Sequence, residues 1–361
     1  MILRGGTMPD QLSNVAASGC SDDALNALAP TRSTAPCFDH VLNAWVLSRH
    51  ADVLAAFRTP SLVPGRSGSQ SDANQASETA RLKMRTETMD ALSGVQTSQW
   101  REFLVREADS LLPSLLPDEP VDLIESYASP LCLLLAALVT NIPLETAKGL
   151  GGIARAVSAA AADPEDLPLK SKAESANAEL MAHFSSGPLA LRDSTFVALS
   201  QTVPCILGNA WLALIDHPKE WRRLHLHPAL LDQAIEELLR YAGLVRTLFR
   251  TATEDLNLNG APIRKGDVLI LRIIEANRDP ERFACAHQLD LTREDGGHVA
   301  LGAGLHACVG ASLIRMAVQT ITRPLLRRFA SAILAGPVEW RGGSTFQSPK
   351  SLWVRLSEDL A

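Results

Sequence analysis

Five residues at every second position, Gly302, Gly304, His306, Cys308 and Gly310, constrain this chain more than any other segment. Glycine at the first two positions allows a tight backbone turn that a side chain would obstruct. The cysteine follows this turn and precedes an apolar stretch with a helical pattern, so its sulfur would meet the positive end of a helix dipole. That environment favours a thiolate, and a thiolate is a metal ligand. The segment therefore predicts a metal site with a cysteine ligand.

This loop resembles the haem-binding loop of the cytochrome P450 superfamily, in which a cysteine thiolate is the axial ligand of the haem iron. The resemblance implies that Cys308 binds the iron of haem b, and that Gly302, Gly304 and Gly310 bring the backbone close to the cofactor. The family usually begins the loop with Phe, and Leu301 stands at that position here. Without the aromatic ring near the sulfur, we expect Leu301 to alter the redox potential.

A second family pattern lies in residues 228–241, which read as an amphipathic helix with Glu237 and Arg240 on one face. In the family, this Glu-x-x-Arg pair binds a later arginine, and Arg293 occupies the matching position. A buried acid with two arginines is costly unless all three are paired, so the resemblance implies a structural role in supporting the cysteine loop. Taken alone, Glu237 and Arg240 fit an ordinary surface pair better.

Two cofactor contacts are implied by the segment that resembles the small sheet of the family. Arg250 and His306 match the positions that usually bind the two haem propionates. The planar fork of donors on an arginine suits a carboxylate. The alternative for Arg250 is a strand residue that faces solvent.

A third cofactor contact is expected from the helix that normally holds a His-x-x-x-Arg pair. This chain has Thr79 and Lys83 at those two positions. Lys83 is the candidate propionate ligand, although lysine matches a carboxylate fork less well than arginine does. Arg81 or Arg85 could compensate from a neighbouring face, or all three cations could form a solvated helix face.

Upstream, residues 196–218 resemble the long central helix that crosses the distal side of the haem. The oxygen-activation sequence of the family, Ala/Gly-Gly-x-Asp/Glu-Thr, falls on residues 198–202. Thr202 is kept, but Gln201 replaces the acid and Leu199 replaces the groove-forming glycine. In the family the acid and the alcohol organise water for proton delivery, and glutamine cannot titrate. Thr202 and Gln201 are nevertheless the candidate catalytic residues.

Pro204 lacks an amide hydrogen, so the central helix should kink near this position. Two chemical explanations of the altered sequence stay open. Either water is relayed through Thr202, Ser200 or the substrate, or the enzyme does not perform standard oxygen scission. A third interpretation is structural, with Thr202 bonded back to a carbonyl of its own helix.

The resemblance implies a mainly α-helical P450 fold with small β-sheets, as a single catalytic domain over residues 1–361. Within it we expect an irregular N-terminal segment at 1–40 and a haem-binding core at 196–361. The alternation of residues predicts two short strands around Ala44 to Ser48 and a helix from Ala51 to Phe57. Residues 145–193 are too few for the family's usual helices, which indicates a deletion between the lid helices and the central helix. A shorter lid predicts an open pocket for a large substrate, or for one presented by a carrier protein.

Composition excludes several other classes of protein. The net charge of −6 gives no reason to expect nucleic-acid binding. The longest strongly apolar run, residues 131–139, is too short to cross a bilayer, and the N-terminus has no sustained apolar signal region. We therefore expect a cytoplasmic protein without a membrane anchor. The six cysteines have no zinc-type spacing, so iron is the expected metal.

The function implied by the resemblance is oxidation of an organic small molecule, in a setting such as secondary metabolism, with dioxygen. Electrons would come from ferredoxin and ferredoxin reductase partners, because no flavin or nicotinamide segment is recognisable here. One alternative keeps the haem but replaces monooxygenation by peroxide-driven oxidation, dehydration or rearrangement. Another alternative is a non-catalytic scaffold that recruits a partner protein, although such a scaffold would not need the Cys308 thiolate.

Overall fold

The computed structural model describes residues 35–66, 83, 85–92, 94–164, 166–184 and 193–359. Most of these residues are helical, and the strands are short. The helices longer than a single turn are α1 (His50–Arg58), α2 (Val95–Leu111), α3 (Ser129–Thr140), α4 (Leu144–Gly149), α5 (Gly151–Ala162), α6 (Leu167–His183), α7 (Asp193–Val197), α8 (Val203–Asp216), α9 (Pro218–Leu226), α10 (Leu231–Tyr241), α11 (Ile273–Asn277) and α12 (Ala311–Arg328). A further helical stretch covers residues 85–91.

Short π-helical turns extend two of these helices at their N-terminal ends, Ile124–Ala128 before α3 and Ala198–Thr202 before α8. Single 3₁₀ turns lie at Leu112–Ser114, Pro228–Leu230 and Gly304–His306. The last of these turns belongs to the cysteine loop.

The strands form one five-stranded sheet and three smaller ones. In chain order they are β1 (Cys37–Asp39), β2 (Ala44–Leu47), β3 (Leu62–Pro64), β4 (Pro120–Asp122), β5 (Thr247–Ala252), β6 (Leu256–Leu258), β7 (Ala261–Ile263), β8 (Val268–Arg272), β9 (Ser331–Leu334), β10 (Trp340–Arg341), β11 (Ser348–Pro349) and β12 (Trp353–Ser357). The large sheet has the order β1-β2-β8-β5-β3, in which β2 and β8 are parallel. The mainly helical fold with small sheets is confirmed.

Two apolar cores hold these elements together. The larger core joins α2, α3, α8, α10 and α12, and the smaller one lies between α1 and one face of the large sheet. Helix α8 is apolar on every side and is buried from Val203 to Ile215, as expected for the central helix of a bundle. It passes so close to Ile124 that a β-carbon at Gly208 would lie 2.8 Å from the Ile124 side chain.

The helical stretch 194–216, which contains α8, is the one stretch among the described residues that is long and apolar enough to cross a membrane. The protein buries 72% of its most apolar window, as the core helix of a folded domain does.

Two expectations about the chain's organisation meet the structure only in part. Strand β1 lies inside the 1–40 segment that was expected to be irregular, because Cys37 to Asp39 pair with β2; residues 1–34 lie outside the described part. Where two short strands were predicted around Ala44 to Ser48, the structure has the single strand β2, while the predicted helix from Ala51 to Phe57 lies within α1. The expected deletion borders residues 185–192, which are not among the described residues, and it stays a prediction.

Candidate functional site

The loop before Cys308 has the backbone conformation that glycine permits. Gly302 and Gly304 have φ angles of 70° and 67°, in the left-handed region. At Gly304 a β-carbon would also lie 2.5 Å from the carbonyl oxygen of Phe57 in α1, so any side chain would force the loop away from that helix. The amide of Cys308 donates to the carbonyl oxygen of Leu301 at 2.8 Å and closes the loop.

The Cys308 sulfur lies one turn before α12 and is mostly buried. Burial is the largest influence and raises the pKa of its thiol, while a hydrogen bond from the Gly310 amide and the charges of Arg85 and Arg315 lower it. The net direction is upward, because burial outweighs the Gly310 amide and the two arginine charges. A cation bound at the sulfur would supply the missing stabilisation of the thiolate.

The other two loop positions predicted to contact the cofactor lie on either side of the sulfur. Leu301 is partly buried and packs against the larger core. Gly310 has an ordinary φ of −86°, and a β-carbon there would come within 4.0 Å of the Cys308 sulfur. Gly310 therefore keeps the surroundings of the sulfur open, without needing an unusual backbone conformation.

Arg250 is a buried cation that has no acidic partner among the described residues. Its side chain lies in β5 with 4% exposure, its Nη1 donates to the Phe249 carbonyl at 2.9 Å, and its guanidinium stacks over Phe57 at 5.2 Å. Its Nε is buried without a hydrogen-bond partner. Burial lowers the pKa of Arg250 to about 10, and no acid in the described part of the chain opposes that effect. Such a group fits a carboxylate delivered by a bound molecule, as a haem propionate would be.

The remaining predicted propionate ligands differ in exposure. His306 is partly buried in the 3₁₀ turn two residues before Cys308. Lys83 is exposed, whereas Arg85 donates through Nη1 to the carbonyl oxygen of Ala307. Arg85 thus reaches the backbone of the cysteine loop from the helix on which the sequence had favoured Lys83. Shifting the alignment of the His-x-x-x-Arg pattern by two residues would have predicted Arg85 in place of Lys83.

Glu237, Arg240 and Arg293 meet in one buried cluster. Arg240 forms a bidentate pair with Glu237 at 2.6 and 2.7 Å, and Arg293 Nε donates to the same carboxylate at 3.0 Å. Arg240 also donates to the carbonyl oxygens of Asn277, Ala286 and Gln288. All three charged side chains therefore have hydrogen-bond partners, which is the condition for burying three charges. The structure does not reproduce the surface pair considered from the sequence.

The altered oxygen-activation sequence forms the π-helical turn Ala198–Thr202. The turn precedes Pro204, which lies in the first turn of α8, so the helix departs from α geometry where the sequence predicted a kink. Gln201 Nε2 lies 3.4 Å from Ser200 Oγ. Within the described part of the chain the Thr202 hydroxyl has no hydrogen bond, so it does not bond back to its own helix. Leu199 is buried.

Comparison with known proteins points to one family. The family model described as Cytochrome P450 matches residues 223–338. Cytochrome P450 CYP107DY1 of Priestia megaterium is 40% identical over 156 residues, which are 43% of this chain and 38% of that protein. Cytochrome P450 monooxygenase PikC of Streptomyces venezuelae is 28% identical over 297 residues, 71% of each chain.

The fold comparison extends beyond these matched segments. The crystal structure of P450BioI in complex with an acyl carrier protein ligated to hexadec-9Z-enoic acid superposes with a TM-score of 0.78 at 22% identity. The superposition covers 93% of this chain and 97% of that one. In sequence, the chain spans only 38% and 41% of the length of CYP107DY1 and of CYP199A2 from Rhodopseudomonas palustris. The matched segment includes the Cys308 loop, and the chain is similar in sequence and in fold to cytochromes P450, which hold haem b through a cysteine thiolate.

Proposed function

We propose that this chain is a haem-thiolate enzyme that oxidises an organic small molecule with dioxygen and electrons from a separate ferredoxin-type partner. The observation that supports it best is the pair formed by Cys308 and Arg250. One is a mostly buried sulfur whose thiol pKa is raised by burial, and the other is a buried guanidinium that has no acidic partner among the described residues. Haem b carries an iron cation and two propionates, so it supplies both missing partners.

The residues have distinct roles in this proposal. Cys308 would hold the iron, and thiolate-bound haem supplies the oxygen chemistry. Arg250 and His306 would bind the propionates, Arg85 would fix the loop carbonyl of Ala307, and Lys83 is retained as a weaker propionate candidate. Leu301, Gly302, Gly304 and Gly310 would line the cofactor. The cluster of Glu237, Arg240 and Arg293 would support the loop.

Proton delivery would depend on Thr202, because its hydroxyl is free to hold water and Gln201 cannot titrate. The same observation favours a second candidate function, in which the enzyme performs peroxide-driven oxidation, dehydration or rearrangement. A substrate that brings its own hydroxyl or carboxyl group would satisfy either scheme.

The substrate class and cellular setting rest on relatives alone. The polyketide biosynthesis cytochrome P450 PksS of Bacillus subtilis supports a secondary-metabolite intermediate, and the P450BioI complex supports presentation by a carrier protein. We place the activity in the cytoplasm, within a single domain spanning 1–361 whose haem-binding core is 196–361.

The test is the spectrum of haem-loaded protein, reduced and exposed to carbon monoxide. We expect the strongly red-shifted Soret band of thiolate ligation. Cys308→Ser should abolish it, while Cys285→Ser, which alters an exposed cysteine, should leave it unchanged. Folded, haem-loaded protein without this band would contradict the proposal and favour the scaffold function. If the band is present, product formation that requires dioxygen, and not peroxide alone, distinguishes the two chemistries.

A further inference from the structure

The hairpin formed by β10 and β11 lies against the central helix, on the face that continues from the altered oxygen-activation turn. Cys205 and Asn209 are four residues apart in α8 and share this face with Gln201, one turn earlier. The Cys205 thiol donates to the Gln201 carbonyl oxygen at 3.2 Å. Asn209 Nδ2 donates to the carbonyl oxygen of Gln347, just before β11, at 2.9 Å. The hairpin therefore covers the helix face that carries the residue replacing the family's acid.

The loop of this hairpin is held on two further sides. The amide of Arg246 donates to the Thr345 carbonyl oxygen at 2.8 Å, which ties the loop to the segment leading into β5 and Arg250. The amide of Thr345 donates to the carbonyl oxygen of Ala162, the last residue of α5, at 2.9 Å. A β-carbon at Gly343 would lie 2.4 Å from the same oxygen, so loop and helix are in direct contact. The hairpin is thus fixed between α8, α5 and the strand that carries a candidate propionate ligand.

Arg341 in β10 is a charged residue of this hairpin that reaches the central helix. Its side chain is partly buried, and its Nη1 lies 3.7 Å from the Cys205 sulfur. Among the described residues, no carboxylate pairs with this guanidinium, and the sulfur is its hydrogen-bond acceptor. A thiol is a weak acceptor, whereas a guanidinium presents five donors in a planar fork. Arg341 therefore has donors to spare one helical turn from Gln201.

A second polar atom of the hairpin also lacks a partner. Gln347 Oε1 is buried, and within the described part of the chain nothing donates a hydrogen bond to it. A buried acceptor costs free energy unless a bound molecule or a water satisfies it. Arg341 thus offers donors and Gln347 offers an acceptor on one hairpin, beside the turn Ala198–Thr202. A complementary ligand has a carboxylate and, close to it, an N–H or O–H group.

We propose that Arg341 binds a carboxylate of the substrate, so that the enzyme selects organic acids, and that Gln347 accepts a hydrogen bond from an N–H or O–H group of the same molecule. This inference rests on the proposed function, because it names the chemical group by which that site recognises its substrate. Arg341 is a specificity-determining residue that anchors the substrate and takes no part in the oxygen chemistry. The turn Ala198–Thr202 contains no acid, so no side chain of that turn competes for the guanidinium.

The experiment measures binding to the haem-loaded protein by isothermal titration calorimetry. The probes are N-decanoylglycine and N-(phenylacetyl)glycine, each compared with the corresponding glycinamide, which has the same shape without the charge. We expect each acid to bind about 10- to 100-fold more tightly than its amide, because charge-assisted hydrogen bonds are the stronger ones. Arg341→Gln should remove this preference, and Arg341→Lys should keep part of it. Gln347→Leu should weaken acid and amide equally, because both share the glycine N–H.

The matched control is Arg355→Gln, which removes an exposed arginine of β12 outside the hairpin and should keep the full preference. Circular dichroism and the carbon monoxide band check the fold and the thiolate ligation of every variant. Acids that bind no more tightly than their amides, or a preference that persists in Arg341→Gln, would overturn the inference while the thiolate band remains.

A purely structural role of Arg341 would give a different pattern. Acid and amide would then lose affinity together in Arg341→Gln, and Arg341→Lys would not recover a preference for the acid. That result would also overturn the inference. A wild-type protein without the thiolate band would overturn the proposed function, and this inference with it.

Discussion

On the Cys308 side of the molecule, Glu237 accepts hydrogen bonds from two guanidinium groups and from the Asp290 amide. In the turn Ala198–Thr202, by contrast, the side chains share one contact among the described residues, the 3.4 Å approach of Gln201 to Ser200. The Glu237 cluster buries three charges and pairs all of them. The turn Ala198–Thr202 has no group that titrates near neutral pH. The Glu-x-x-Arg cluster is therefore kept in a chain whose oxygen-activation sequence has changed, so the two features are separable.

The largest expected effect tests whether the stability of the protein depends on the buried charges of the Glu237 cluster. Glu237→Gln should lower the free energy of unfolding by about 3–5 kcal/mol, because Arg240 and Arg293 would stay buried beside a neutral amide. Urea unfolding followed by circular dichroism measures it. The control is Glu236→Gln on the same helix, whose half-exposed pair should cost less than about 1 kcal/mol. Equal losses in the two variants would mean that burial of the cluster has no special role.

The next effect tests the turn Ala198–Thr202, where Gln201 replaces the acid of the family pattern. Gln201→Glu restores an acid beside Thr202, and a positioned proton donor contributes about 10²–10⁴-fold in rate. We expect the rate of dioxygen-dependent product formation to rise by about 10²-fold, the lower end of that range, if the chemistry is standard monooxygenation. Gln201→Ala removes the amide without supplying a proton and should give no gain. An unchanged or lower rate in Gln201→Glu would favour the second chemistry.

These two regions also differ in what the sequence could predict. The cysteine loop, the Glu-x-x-Arg pair and Arg293 could be predicted because their spacing and residue types are restrictive, and the structure brings Glu237, Arg240 and Arg293 into contact. Pro204 predicted a kink in the central helix, and the structure has the π-helical turn Ala198–Thr202 just before this residue. Local signals were sufficient where the chemistry fixes the residue type.

Other features depended on tertiary contacts that no local pattern contains. The sequence favoured Lys83 over Arg85, because a helix fixes spacing but not which side chain faces the loop. The rise in the pKa of Cys308 comes from burial by distant segments and outweighs the local amide dipoles that suggested a thiolate. The unpaired state of Arg250 is likewise visible only once its surroundings are known.

A smaller effect separates the protein with and without its cofactor. Arg250→Met removes a buried guanidinium whose Nε has no partner, so the haem-free protein should gain about 1 kcal/mol of stability. The haem-loaded variant should instead lose haem faster to an apoglobin acceptor, since a propionate would lose its cation. Thermal unfolding and haem-transfer rates measure the two effects. A variant destabilised in both states would show that the stacking on Phe57 matters more than the missing anion.

The smallest effect concerns pH and the support of the cysteine loop. His50 in α1 is buried, its amide donates to Asp279, and its Nε2 lies 2.8 Å from the Gly297 carbonyl oxygen, so the neutral ring donates from Nε2. Burial, the largest influence, lowers the pKa of His50 below its ordinary value of 6.5. Between that value and the lower folded pKa, the unfolded chain binds more protons than the folded one. Stability contributed by the neutral ring is therefore fully present above pH 6.5 and is lost as pH falls through the folded pKa.

His50→Gln keeps a donor for Gly297 but cannot titrate, so its unfolding free energy should depend less on pH across this window than that of the wild type. Urea unfolding at pH 7.5 and 5.5 measures the difference, with the exposed His183→Gln as a control that should follow the wild type. The comparison isolates one histidine, because every other titrating group is common to both proteins. If the unfolding free energy of His50→Gln depended on pH as strongly as that of the wild type, the loop before Cys308 would open to admit a charged ring. That loop would then be less rigid than its contacts suggest.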